Sequence, residues 1–170
     1  MAHFDDFSGL FPTIQSLRLN NSALMPQCEF VVVDNSPEDQ KTAAAIVDLL
    51  GNIPECHPSH YHAMPGNKGT SLSREAIFAK ATGKYVLVMD CHVGLTPGAL
   101  PALLAHYGAD PETRDIISGP LLYDSLRNVS THFDDAWSDA MWGTWGAAWG
   151  CQCPKWEAAR FAIVQHDGKT

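Results

Sequence analysis

The stretch that most constrains the fold is Tyr85 to Val93, YVLVMDCHV. Its first five residues, Tyr85 to Met89, are largely apolar and uncharged, the pattern of a short strand buried on both faces inside a parallel α/β sheet. The run stops on Asp90-Cys91-His92. In an open α/β sheet ligands bind in the crevice beyond the carboxyl ends of the strands, so a carboxylate and an imidazole stand there where chemistry is expected. Side chains at i and i+2 of an extended segment point the same way, which lets Asp90 and His92 converge on one cation while Cys91 turns into the protein. The plainer alternative makes Asp90 a cap for the next turn and His92 a polar loop residue, since a lone Asp-x-His has little specificity.

Strand and helix signals alternate around this stretch. Phe11 to Leu19 reads as a helix with Pro12 near its first turn and Phe11, Ile14 and Leu17 as its apolar stripe. Glu29 to Val33 reads as another buried strand, ending in Asp34-Asn35. Ser36-Pro37-Glu38-Asp39 offers a cap, a proline and early acid for a helix to Leu50, stopped by Gly51. Residues 52–70 hold Pro54, Pro58, Pro65, Gly66 and Gly69, a loop with at most a short strand. His57, His60 and His62 lie in it, but Pro58 and Pro65 break any regular ligand spacing. Ser71 to Thr82 predicts a helix closed by Gly83, and Thr96-Pro97 opens another through His106, closed by Gly108. Asp115–Ser118 and Leu121–Tyr123 are predicted strands, as is Ala158–Gln165. The alternation over residues 29–123 predicts an α/β fold, a mostly parallel sheet with helices on both faces.

Charge and composition exclude several functions. Eleven Lys and Arg against 19 Asp and Glu give a formal charge of −8, which supplies no basic footprint for nucleic acid or an anionic membrane. The apolar runs are far shorter than the roughly 20 residues that span a bilayer, and MAHFDDFSGL lacks the regions of a signal peptide, so the expected setting is cytoplasmic. Five cysteines is an odd count, and the scattered Cys28, Cys56 and Cys91 suit reduced thiols, while the close pair Cys151-x-Cys153 has no second pair at zinc-finger spacing. At 170 residues one domain is expected. All five tryptophans, Trp137, Trp142, Trp145, Trp149 and Trp156, fall in the last quarter; they either cover one end of the sheet or form a surface that stacks a flat ligand such as a sugar ring.

Three segments then fall in an informative order: MAHFDDF, FVVVDNSPED and GTSLSREAIFAKATGKYVLVMDCHVGLTPGAL. In this order the chain resembles the nucleotide-binding half of the inverting, family 2 type of glycosyltransferases with the GT-A fold. The resemblance covers about residues 1–125. It implies a Rossmann-like sheet, short at both ends, with residues 126–170 forming a Trp-rich, acceptor-side segment of the same domain. MAHFDDF resembles the end of that family's first strand, which places His3 at the base-contacting loop. FVVVDNSPED is similar to the strand whose terminal aspartate, here Asp34, contacts the nucleotide base. The longest segment resembles the helix and strand leading into the Asp-x-Asp metal motif, with His92 in place of the later aspartate, as in polypeptide N-acetylgalactosaminyltransferases.

What the resemblance implies is a metal-dependent transfer of a sugar from a nucleoside diphosphate sugar, UDP favoured, to an unknown acceptor with inversion. Asp90 and His92 would hold Mn2+, or Mg2+, and Arg74 with Lys68 would add positive charge near the nucleotide. The other reading of Arg74 is a surface ion pair with Glu75 or Glu38. An inverting transfer needs a carboxylate base; Asp134 and Asp135 are favoured over Asp139 and Glu157, and His132 or His166 could add a metal ligand. Two alternatives stand beside this one. The chain could be a nucleotide-sugar-binding domain without complete catalytic machinery, or a nucleotidyltransferase, for which no glycine-rich basic loop is present near the N-terminus. A sheet short of strands would also leave an edge open to pairing into a homo-oligomer.

Overall fold

Three consecutive valines explain the layering. In the computed structural model, which describes residues 1–56 and 58–117 together with the backbone of four short later strands, strand β2 (Val31–Asp34) is buried at every position. Side chains alternate across a strand, so Val32 faces one side and Val31 and Val33 the other. Val32 joins a core with Leu10, Ile14, Ile46, Leu49, Phe30 and Met89; Val31 and Val33 join another core with Ile77. β2 is the middle of a three-stranded, all-parallel sheet between β1 (Ala2–His3) and β3 (His60–Ala63). The register sets His3 beside Asp34 and Asp34 beside Ala63.

Helices α1 (Phe7–Asn20) and α2 (Gln40–Gly51) cover the Val32 face, and α3 (Gly69–Lys80) covers the other. α1 starts a turn earlier than its apolar stripe predicts, because the Asp6 carboxylate accepts the Gly9 N–H at 2.9 Å and caps it there. α2 starts later than Ser36-Pro37 suggests. Asp39 is its cap, accepting from the N–H groups of Lys41 and Thr42, and Ser36 is used elsewhere. α3 begins at Gly69, whose φ of +77° is a conformation that favours glycine.

Residues 85–89 depart from the doubly buried strand that their composition predicts. They form no ladder, and the one pairing of this segment is a parallel bridge between Ala2 and Asp90. Val86 and Val88 pack toward the Val31/Val33 core, and Met89 toward the other, but Tyr85 and Leu87 are exposed at 40% and 41%. β1, the neighbour on this side, offers only two ladder residues, so the segment has little to pair with and its apolar run is half used.

One carboxylate ties this segment to the sheet. Glu29 Oε1, just before β2, accepts from Thr82 N–H at 2.6 Å, Gly83 N–H at 2.9 Å and the Thr82 hydroxyl at 3.0 Å. Burial pushes its carboxyl up, but these bonds outweigh it and hold it below the usual glutamate range. Glu29→Ala is expected to lower stability by about 1 to 2 kcal/mol, since charge-assisted bonds are lost at a mostly shielded site; urea unfolding measures it.

The chain divides into two compact units, Met1–Leu100 and Pro101–Thr170. Helix α4 (Ala99–Ala109) opens after Thr96-Pro97, with the Thr96 carbonyl accepting from Ala99 N–H. The predicted strand at 115 is irregular through Ile117, because α4 takes up its polar groups: His106 meets the Asp115 carboxylate at 2.9 Å and Tyr107 donates to the Asp115 carbonyl at 2.8 Å. Four later strands, β4 (Leu121–Leu122), β5 (Val129–Phe133), β6 (Met141–Trp142) and β7 (Ala147–Trp149), make an antiparallel sheet in the order β4-β5-β7-β6. The strand expected at 158–165 lies outside the described residues. Among the described residues no helix is long and apolar enough to cross a membrane.

Candidate functional site

The carboxyl ends of β1 and β2 bring His3 and Asp34 together. Both are buried, and His3 Nδ1 lies 2.9 Å from Asp34 Oδ1. His3 Nε2 accepts the Asp6 N–H at 3.1 Å, so the ring proton is on Nδ1 and is donated to Asp34. Oδ1 also accepts from the Ser36 N–H and hydroxyl, and Oδ2 from the Tyr61 hydroxyl at 2.8 Å. Burial alone would raise the Asp34 carboxyl; the bonds from His3, Ser36 and Tyr61 outweigh it and hold it below the usual aspartate range. The same partnership pushes the Tyr61 hydroxyl upward, with burial the larger cause and Asp34 the smaller. Ser36 in turn accepts the N–H of Asp5, a residue with φ of +48°, so the network fixes the two turns that leave β1 and β2.

Asp90 and His92 flank this network from the neighbouring segment. Cys91 and His92 lie in a turn, so the extended geometry that would aim residues 90 and 92 the same way is absent. Asp90 Oδ1 accepts from Arg74 of α3 at 3.1 Å, with both side chains about half exposed. Arg74 therefore pairs with Asp90, not with Glu75 or Glu38. His92 Nδ1 lies 2.9 Å from Asp6 Oδ2, and its ring is 65% exposed. Cys91 does turn inward, and its thiol reaches Asp6 Oδ2 at 3.6 Å. Lys68 stands at the start of α3 with its N–H on the Asn35 side chain at 2.7 Å and its own side chain exposed.

A cation can be tested against these donors. Asp6, Cys91 and His92 have ligand atoms within 4.8 Å of one another. Burial, then the charge of Asp6, pushes the Cys91 thiol up to about 11, so a cation bound there would have to displace its proton. Asp90 lies outside this trio, and it and His92 are held by separate partners. Each has one polar atom fixed by the protein, Oδ1 on Arg74 and Nδ1 on Asp6, while Asp90 Oδ2 and His92 Nε2 have no partner among the described residues. Metal-bound carboxylates and imidazoles are held in this way by their other polar atom.

Several residues here escape a sequence reading. Tyr61 and Ser36 complete the Asp34 network, and Asp6 serves both α1 and His92. Gly9 matters through space: a Cβ there would stand 2.5 Å from Asp6 Oδ2 and 2.7 Å from His92 Cβ. The Asp6-x-x-Gly9 spacing at a helix start is the available signal for the cap. Asp134, Asp135, Asp139, Glu157 and His166 lie outside the described residues, and of His132 only its place in β5 is described.

The family model for glycosyl transferase family 2 matches residues 6–142, well over half of the chain. No curated protein and no solved structure matches it significantly. The match takes in α1, β2, α2, β3, α3 and the Asp90-to-His92 turn, and a parallel sheet flanked by helices agrees with the GT-A architecture. Glycosyl transfer from a nucleotide-sugar donor to an acceptor is the chemistry such a domain implies, and the chain belongs to glycosyl transferase family 2.

Proposed function

We propose that the chain transfers a sugar from a UDP-sugar to an acceptor hydroxyl with inversion, using a divalent cation held by Asp90 and His92. The observation that carries this reading is the pair of open donor atoms, Asp90 Oδ2 and His92 Nε2, whose partner atoms are already fixed by Arg74 and Asp6. A mixed oxygen and nitrogen set suits Mn2+ better than Mg2+. When bound, the cation supplies charge neutralisation for the diphosphate and for the negative charge that grows on the departing nucleotide. A chain of net charge −8 has no overall field to attract such a donor, so local cationic groups carry the task. Arg74 sits on Asp90 and can turn a guanidinium N–H toward a phosphate oxygen, and Lys68 offers an exposed ammonium at the start of the same helix.

Asp34 and His3 serve the donor by holding the Asp5 and Ser36 turns, because their own polar atoms are turned inward and engaged. Asp134 or Asp135 takes the acceptor proton as the hydroxyl oxygen attacks the anomeric carbon opposite the leaving diphosphate. Free thiols at Cys28, Cys56 and Cys91 support a reducing, cytoplasmic setting.

The test is nucleotide release from a panel of UDP- and GDP-sugars. Release is expected from a UDP-sugar with Mn2+, to fall to background with EDTA and to return when Mn2+ is added back; an α-linked donor is expected to give a β-linked product by NMR. Release that ignores EDTA would contradict the cation, and binding without any turnover would reduce the chain to a donor-binding domain.

A further inference from the structure

We propose that Asp6 is a positioning residue for His92: its carboxylate holds the imidazole in the Nδ1–H tautomer and leaves the Nε2 lone pair open to the cation. This rests on the cation reading above. The two residues are 86 positions apart in the chain yet meet at 2.9 Å. An ionised carboxylate only accepts, so a neutral His92 ring at this distance carries its proton on Nδ1. The carboxylate divides its work between its two oxygens. Oδ1 accepts from the Gly9 N–H and the Ser8 hydroxyl and caps α1, while Oδ2 accepts from His92 at 2.9 Å and, at 3.6 Å, from the Cys91 thiol.

The position of that oxygen is set by the fold. Leu10 and Ile14 anchor α1 in the core with no exposed surface, so the capping carboxylate is presented from a fixed helix end. Gly9 admits His92 to it, since any Cβ at residue 9 would overlap both Asp6 Oδ2 and His92 Cβ. A metal-ligating histidine gains orientation and basicity from such a partner, and loss of the partner typically costs about 10–100-fold in metal affinity.

Asp6→Asn separates the two jobs. The cap needs an acceptor, so the asparagine oxygen stays on Gly9 and its NH2 faces His92, which forces Nδ1 to accept and moves the proton to Nε2. The experiment is long-range 15N–1H NMR of the full chain, with His92→Gln assigning the ring signals, together with Mn2+ titration followed by EPR of the free ion. The expected result is Nδ1–H in the wild type, Nε2–H in Asp6→Asn with the melting temperature nearly kept, and Mn2+ affinity lower by about 10–100-fold. Gly9→Ala is expected to weaken Mn2+ binding in the same direction with the charge of Asp6 intact. An unlocked tautomer in the wild type, or one unchanged by Asp6→Asn, would overturn the proposal whatever Mn2+ does. A switched tautomer with unchanged Mn2+ affinity would overturn the positioning role. If the wild type binds no Mn2+ at all while the tautomer still switches, the cation reading itself fails, and with it the purpose of the lock.

Discussion

Asp34→Ala is expected to lower the free energy of unfolding by about 3 to 5 kcal/mol, the largest stability loss of any polar substitution near the site. The carboxylate is wholly buried and accepts from His3, from the N–H and hydroxyl of Ser36, and from Tyr61. Removing it strands three residues that donate to it, in a region largely closed to water. Asp34→Asn keeps one acceptor oxygen and is expected to cost less than half as much. The pH dependence has a definite sign. The folded carboxyl titrates below its unfolded value, so its contribution is complete above the ordinary aspartate pKa of about 3.9 and is lost as pH falls through the lower folded value. Urea unfolding between about pH 7 and pH 3 measures both effects; a loss under about 1 kcal/mol in Asp34→Ala would mean that the network is not a structural keystone.

Asp90→Ala is expected to do the opposite, leaving stability nearly untouched while Mn2+-dependent binding of UDP falls by about 100-fold or more, roughly 2.7 kcal/mol. Its ion pair with Arg74 is half exposed, and such pairs contribute about 0–1 kcal/mol. The binding loss follows from removing an open ligand atom of the proposed cation site, Asp90 Oδ2. Arg74 is then left without its carboxylate, so part of the residual affinity is expected to come from its guanidinium on the diphosphate. Calorimetry beside thermal melting separates the two quantities. Equal losses in both would indicate that Asp90 holds the segment in place and does not bind a cation.

The elements legible in the sequence are those fixed by local chemistry. The run of Val31, Val32 and Val33 predicts a strand buried on both faces, and the glycine and carboxylate punctuation of α2 and α3 places them to within a few residues. Asp34 is readable as a strand-terminal carboxylate because composition changes abruptly there, and Asp90 only as the carboxylate that closes an apolar run. The stretch from Tyr85 to Met89 misleads because burial of a strand depends on its neighbours, and β1 offers it a single pairing at Ala2. Partnerships across long separations are likewise invisible in the chain. Nothing local to Tyr61 marks it as the donor to Asp34, and nothing local to His92 marks Asp6 as its holder, because both meetings follow from the register of β2 with β3 and from the entry of α1. Ser36 has the composition of a helix cap, yet its hydroxyl and N–H are engaged by the carboxylate two residues before it.

On the proposed reading, the carboxyl end of this sheet binds a nucleoside diphosphate through a cation. Calorimetric titration of UDP, then GDP, into the metal-free protein with and without Mn2+ tests it most directly. UDP is expected to bind only when Mn2+ is present, with GDP weaker. Absence of binding by either nucleotide in the presence of Mn2+, or UDP binding of equal strength without it, would contradict a cation-held donor site.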